Sequence, residues 1–91
     1  MQVWKFQLED SGWTFLALPM GADILSVGAQ RSALMLWAAV DPEHLCEVRC
    51  FWTALTGADL PLNLGRFFGT VQRDWFVVHV WELILGEKAN G

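Results

Sequence analysis

The chain has no tyrosine, only two histidines and two cysteines, and just six basic residues against ten acidic ones. Each shortage excludes something. The cations (Lys5, Arg31, Arg49, Arg66, Arg73 and Lys88) are scattered and the net charge is -4. A protein that grips nucleic acid through its phosphates needs a dense field of Lys and Arg, so no nucleic-acid partner is expected. No apolar run approaches the length of a helix that crosses a bilayer, and MQVWKFQLED lacks a basic start followed by an apolar block. Neither a membrane segment nor a signal peptide is expected, and the cytoplasm is the default compartment. Cys46 and Cys50 on one continuous strand would lie about 13 Å apart, beyond the reach of a disulfide, so two reduced thiols are expected. The glycine-containing stretch GADLPLNLG (57–65) lacks the lysine and the helix of a phosphate-binding loop.

What the chain has in quantity is apolar mass. Of its 91 residues 54% are hydrophobic, with six Trp and six Phe. That length makes one domain, and a domain so small has a high ratio of surface to volume. It cannot hide this much apolar area in one interior, and large side chains are left for an exterior or an interface, where aromatic residues are enriched. A homodimer or higher homo-oligomer follows as the expected state.

The pattern along the chain has a period of two. In Val3 to Glu9, Trp4, Phe6 and Leu8 point one way and Val3, Lys5 and Gln7 the other, as in a half-buried strand. Asp10-Ser11-Gly12 is a turn into Trp13 to Leu18, and so short a link predicts an antiparallel hairpin. Asp23 to Gln30 follows, with Gly28 marking a bulge or a close backbone approach. Leu34 to Val40 is apolar on both faces and should be covered on both. The turn Asp41-Pro42-Glu43 then leads into Glu47 to Thr56, predicting a central hairpin that could bring Trp37 and Trp52 together. Arg66 to Gln72 and Trp75 to Leu85 complete the set. Seven short, mostly antiparallel strands without an amphipathic helix define an all-β domain over residues 1–85, with a polar, flexible tail at 86–91. A sandwich and a curled, partly closed barrel both fit.

Several segments in order resemble a family of short proteins of tailed bacteriophages and prophages that carries no assigned activity. They are Val3-Trp4-Lys5-Phe6, Pro19-Met20-Gly21-Ala22, Ile24-Leu25-Ser26-Val27, Leu36-Trp37-Ala38-Ala39-Val40-Asp41-Pro42, Thr56-Gly57, Gly69-Thr70-Val71-Gln72 and Phe76-Val77-Val78-His79-Val80-Trp81-Glu82. The resemblance implies a phage setting, hence a host cytoplasm, and brings no catalytic residues with it.

No catalytic, metal or cofactor motif stands out. His79, among Val77 and Trp81, reads as a partly buried imidazole bonded to a neighbouring strand or loop. Asp41, Glu43, His44 and Cys46 cluster near one turn, but their spacing matches no metal motif. The expected function is therefore binding rather than catalysis: a small interaction protein that contacts a host or phage protein, for instance to interfere with a host process or defence system. An oligomeric protein that binds or sequesters a nucleotide is the alternative, with Arg49, Arg66 and Arg73 to meet phosphates beside aromatic platforms. A virion assembly component is the third reading. Trp13 and Trp75 next to turns, and Val78 and Val80 on the second apolar face of the last strand, complete the candidate interaction surface.

Overall fold

A computed structural model describes residues 1–84. Seven strands are present: β1 (Gln2–Leu8), β2 (Gly12–Pro19), β3 (Asp23–Gln30), β4 (Ala33–Val40), β5 (Cys46–Leu55), β6 (Leu64–Gln72) and β7 (Val77–Leu83). There is no helix among the described residues. The tail expected at 86–91 lies outside them.

The strands form two antiparallel sheets, a three-stranded one in the order β1-β4-β3 and a four-stranded one in the order β2-β5-β7-β6. The sheets pack face to face as a sandwich, without closing into a barrel. Their shared interior is built from alternate residues of each strand. Leu34, Leu36, Ala38 and Val40 of β4 are wholly buried, and face a layer made by Leu18, Phe51, Val78 and Val80 of the other sheet. Trp4 and Phe6 of β1 and Phe68 of β6 pack against the margin of this core.

Connectivity departs from the simplest reading in two places. β1 and β2 do not pair; β1 pairs with β4 and β2 with β5. The link Asp10-Ser11 is a corner at which the chain changes sheet, helped by Gly12 at φ 87°, a value that side-chain-bearing residues rarely adopt. Likewise Asp41-Pro42-Glu43 carries the chain from one sheet to the other, so β4 and β5 make no hairpin. Trp37 and Trp52 consequently lie on different sheets, Trp37 beside Lys5 and Ser26, Trp52 beside Trp13 and Trp81. The true hairpins are β3–β4, joined by Arg31-Ser32, and β6–β7.

The irregularity that Gly28 signals is divided between two positions. The bulge lies earlier, between Ile24 and Ser26, and shifts the phase of β3 so that Ile24 and Val27 both face the core. Gly28 itself makes room for the indole of Trp37, whose Cζ3 would lie 3.5 Å from a Cβ at that position. The two sheets approach most closely along β3 and β6, where a Cβ on Gly69 would meet Val27 Cγ2 at 3.3 Å.

Candidate functional site

The outer face of the four-stranded sheet carries a row of aromatic side chains. Alternation along β5 sends Phe51 and Thr53 into the sandwich and points Val48, Cys50, Trp52 and Ala54 the other way, where neighbouring side chains cover Cys50 and Ala54. Register then places Trp13 of β2 opposite Trp52, Trp52 opposite Trp81 of β7, and Trp81 opposite Phe67 of β6. One aromatic residue from each strand thus stands in line across the whole sheet. Trp13 meets Trp52 edge to face with centroids 4.4 Å apart, and Phe67 lies 5.0 Å from Trp81. Phe67 in the row is 49% exposed, and Phe15 and Val48 beside it 66% and 60%, so the face is apolar and open toward its two edge strands.

At one end of this face His79 stands next to Trp81 (6.3 Å between centroids). Its Nε2 lies 2.7 Å from Thr56 Oγ1 and its Nδ1 2.9 Å from Thr70 Oγ1. Both ring nitrogens are engaged by hydroxyls from a neighbouring strand and a following loop, which leaves neither free to act on a bound molecule.

A second concavity lies at the end of the sandwich. A cleft of about 360 Å³ is lined by Asp10, Ser11, Leu55, Trp75 and Phe76. Trp75, in the β6–β7 turn, is 85% exposed and meets Phe76 edge to face at 4.8 Å. It is the most exposed tryptophan of the chain, as its place beside a turn predicts.

The three arginines have other partners. Arg49 points into the open end of the sandwich, where Nε and Nη2 grip the two carboxylate oxygens of Glu82 at 2.6 and 2.8 Å and Nη1 donates to the carbonyl of Ala22. The hydrogen bonds to Glu82 hold its guanidinium above the usual range. Arg73 is largely buried and stacks over Phe76; its Nη2 donates to Ser32 O at 2.9 Å and meets Asp10 at 3.2 Å. Arg66 is exposed, with its guanidinium 5.0 Å from the ring of Phe68. Arg49 therefore ties a turn to β7, Arg73 ties three links between strands together, and neither is part of an exposed surface.

Val78 and Val80 are likewise not surface residues. Both have no exposed area, because the face of β7 that carries them looks into the sandwich. Alternation distinguishes the two faces of that strand correctly but does not say which one meets the other sheet. The outward face is that of His79 and Trp81. The row to which Trp81 belongs could have been found by aligning Trp13, Trp52, Trp81 and Phe67 across strands, but that alignment needs the pairings, and only β6–β7 is local.

The turn with the acidic and imidazole groups closes on itself. Asp41 Oδ1 accepts the amide of Glu43 at 3.0 Å, His44 Nδ1–H donates to Met20 O at 2.8 Å, and the Met20 amide donates to Leu45 O at 2.8 Å. Among the described residues no three His, Cys, Asp or Glu side chains come together in a way that could hold a metal ion. Cys46 and Cys50 are both free thiols, one exposed and one buried.

By fold, the chain is a small antiparallel β-sandwich whose larger sheet is aromatic on its outer face. It belongs to the family defined by a domain of unknown function (DUF7352), whose profile matches residues 1–90. No curated protein and no solved structure matches the chain.

Proposed function

We propose that this protein works by protein–protein contact, with the outer face of its four-stranded sheet as the contact surface. The observation that carries this reading is the aromatic row Trp13, Trp52, Trp81 and Phe67, flanked by exposed Phe15 and Val48. Water gains when such area is covered, at about 25 cal/mol per Å² of apolar surface. Trp and Phe are also the side chains on which interface energy concentrates. If the resemblance to short bacteriophage proteins carries over, the partner would be a host or phage protein, and interference with a host process is the role such a contact would serve.

Nucleotide sequestration has less support. It needs guanidinium groups free to meet phosphates, and Arg49 and Arg73 are committed to Glu82, Asp10 and two backbone carbonyls. The end cleft beside Trp75 is apolar apart from Asp10 and Ser11, and no basic side chain lines it.

The test is association measured with and without the face. Sedimentation velocity of the pure chain and affinity capture from a host lysate would be run on the wild type and on a Phe15→Lys, Phe67→Lys double variant. Any association, with itself or with another protein, that the double variant loses while keeping its melting transition supports the reading. Association that survives in the double variant sinks it.

A further inference from the structure

We infer that the outer edge of β2 is a self-pairing edge, at which two copies of this chain join their four-stranded sheets into one continuous sheet. The inference deepens the contact reading above by naming the partner and the strand. A two-sheet sandwich has four edge strands, here β1, β3, β2 and β6. An unprotected edge is a template for another strand, and proteins blunt edges with charges, bulges or cover. Three of the four are blunted. β3 carries the bulge at Leu25 and β6 two register shifts, and these two edges lie against each other where Val27 meets Gly69. β1 presents Lys5 at its centre.

β2 has no charge or bulge along its length, and its one blunting residue, Pro19, is the last of the strand. The strand runs in unbroken register with β5 from Gly12 to Pro19. Among the described residues no strand pairs with its other side. Its sequence, GWTFLALP, contains no ionisable side chain, whereas β1 has Lys5, β3 Asp23 and β6 Arg66. This matters for the choice of occupant. On a two-fold axis each strand meets its own copy, so a charge near the centre of the strand meets the same charge. Lys5, the central residue of β1, would meet itself in this way, whereas β2 carries no charge at any position.

The side-chain pattern also suits self-pairing. An antiparallel pair keeps outward residues opposite outward residues when the axis passes through a residue. With Phe15 on the axis, Phe15 stands beside the partner's Phe15 and bulky Trp13 beside the partner's small Ala17. Thr14 then stands beside the partner's Leu16 on the inner side. Phe15 is the most exposed aromatic of the strand in the single chain, and this pairing covers it. The aromatic rows of the two copies are then offset along the strands, with the two Phe15 side chains between them.

Light scattering coupled to size exclusion, with amide hydrogen exchange at two protein concentrations, tests this. The wild type is expected to be a dimer at micromolar concentration, with β2 amides protected more strongly as concentration rises. Phe15→Lys and, independently, Ala17→Lys should weaken the dimer by on the order of tenfold or more, since each sets charge against the paired strand. Both side chains are exposed, so the melting transition of the dilute protein should persist. Phe67→Lys, on the opposite edge strand of the same face, should leave the dimer intact. Dissociation by Phe67→Lys as well would mean that copies stack face on face, which overturns the edge and keeps the contact surface. A dimer that resists all three variants overturns both. A strictly monomeric wild type overturns the edge, and the contact surface then stands or falls on capture of another protein.

Discussion

At the scale of single residues, Arg49 and Glu82 decide how one end of the sandwich is closed. Both side chains are about four-fifths buried (18% and 19% exposed), and the guanidinium also holds the β2–β3 turn through Ala22 O. Removing the carboxylate strands a cation that is mostly shielded from water. Glu82→Ala should cost about 2 kcal/mol, between the values for exposed and for fully buried pairs, in a chemical-denaturation curve. Because hydrogen bonding to Glu82 raises the pKa of Arg49, its contribution is complete throughout the neutral and moderately alkaline range and is lost only at extreme alkaline pH. Cys50 behaves differently. Burial, and then the charge of Glu82, raises its thiol pKa above the ordinary 9.0. The folded chain thus keeps a proton that the unfolded chain releases, so stability should fall as pH rises above about 9. Cys50→Ala should flatten that alkaline decline in melting temperature. A thiol reagent at neutral pH should modify exposed Cys46 quickly and buried Cys50 only after unfolding.

At the scale of elements, β7 and its neighbour β6 are the most sensitive to change. A Cβ at Gly65 would sit 2.7 Å from Ile84 Cγ1 and 2.9 Å from the backbone oxygen of Glu82. The oxygen belongs to the chain itself and cannot swing aside, so Gly65→Ala should cost about 1–3 kcal/mol in a thermal or urea melt, as overpacking does. Val80→Asp should abolish the folded state rather than produce a soluble monomer, because the carboxylate would enter the core without a partner. How much of this was legible beforehand differs by feature. The seven strands lie close to where alternation puts them, since a period of two is written in neighbouring residues. Trp4, Phe6 and Leu8 share one face, as their alternation indicates, and that face is the inward one. The partners of those strands were not legible. Asp10-Ser11 is short enough for a hairpin and equally suited to a corner, and the difference is made by residues far along the chain. Nor does Arg49 reveal in sequence that Glu82 will be its partner, or β3 that a bulge at Leu25 will exchange its faces. Trp75 was legible as a surface residue because exposure at a tight turn is a local property.

For the molecule as a whole, the apolar excess of the composition ends on the outside of the larger sheet. The smaller sheet is treated otherwise: its outer face has Lys5 reaching across to Gln30 at 2.7 Å, over the strand that carries Met35 and Trp37. One broad face is therefore partly screened and the other bare, which gives the thin body (39 × 33 × 15 Å) a direction. If two copies join, the folded form is favoured by mass action, and the melting temperature of the wild type should rise with protein concentration while that of Phe15→Lys stays level.

The three links at which the chain changes sheet (β1–β2, β2–β3 and β4–β5) also govern how it reaches this state. Phe6 must wait for Leu36 and Phe15 for Cys50, so neither β1 nor β2 can settle when its own neighbours in sequence have formed. Only the β3–β4 and β6–β7 hairpins close early. Loop closure of that span precedes most of the burial it makes possible, and refolding in a stopped-flow experiment should take milliseconds to seconds rather than microseconds. β7 is made last and is inserted between β5 and β6, so the larger sheet has no continuous form until residue Val77 and beyond exist. Until β7 is made, the aromatic strands β2, β5 and β6 have no common sheet to join.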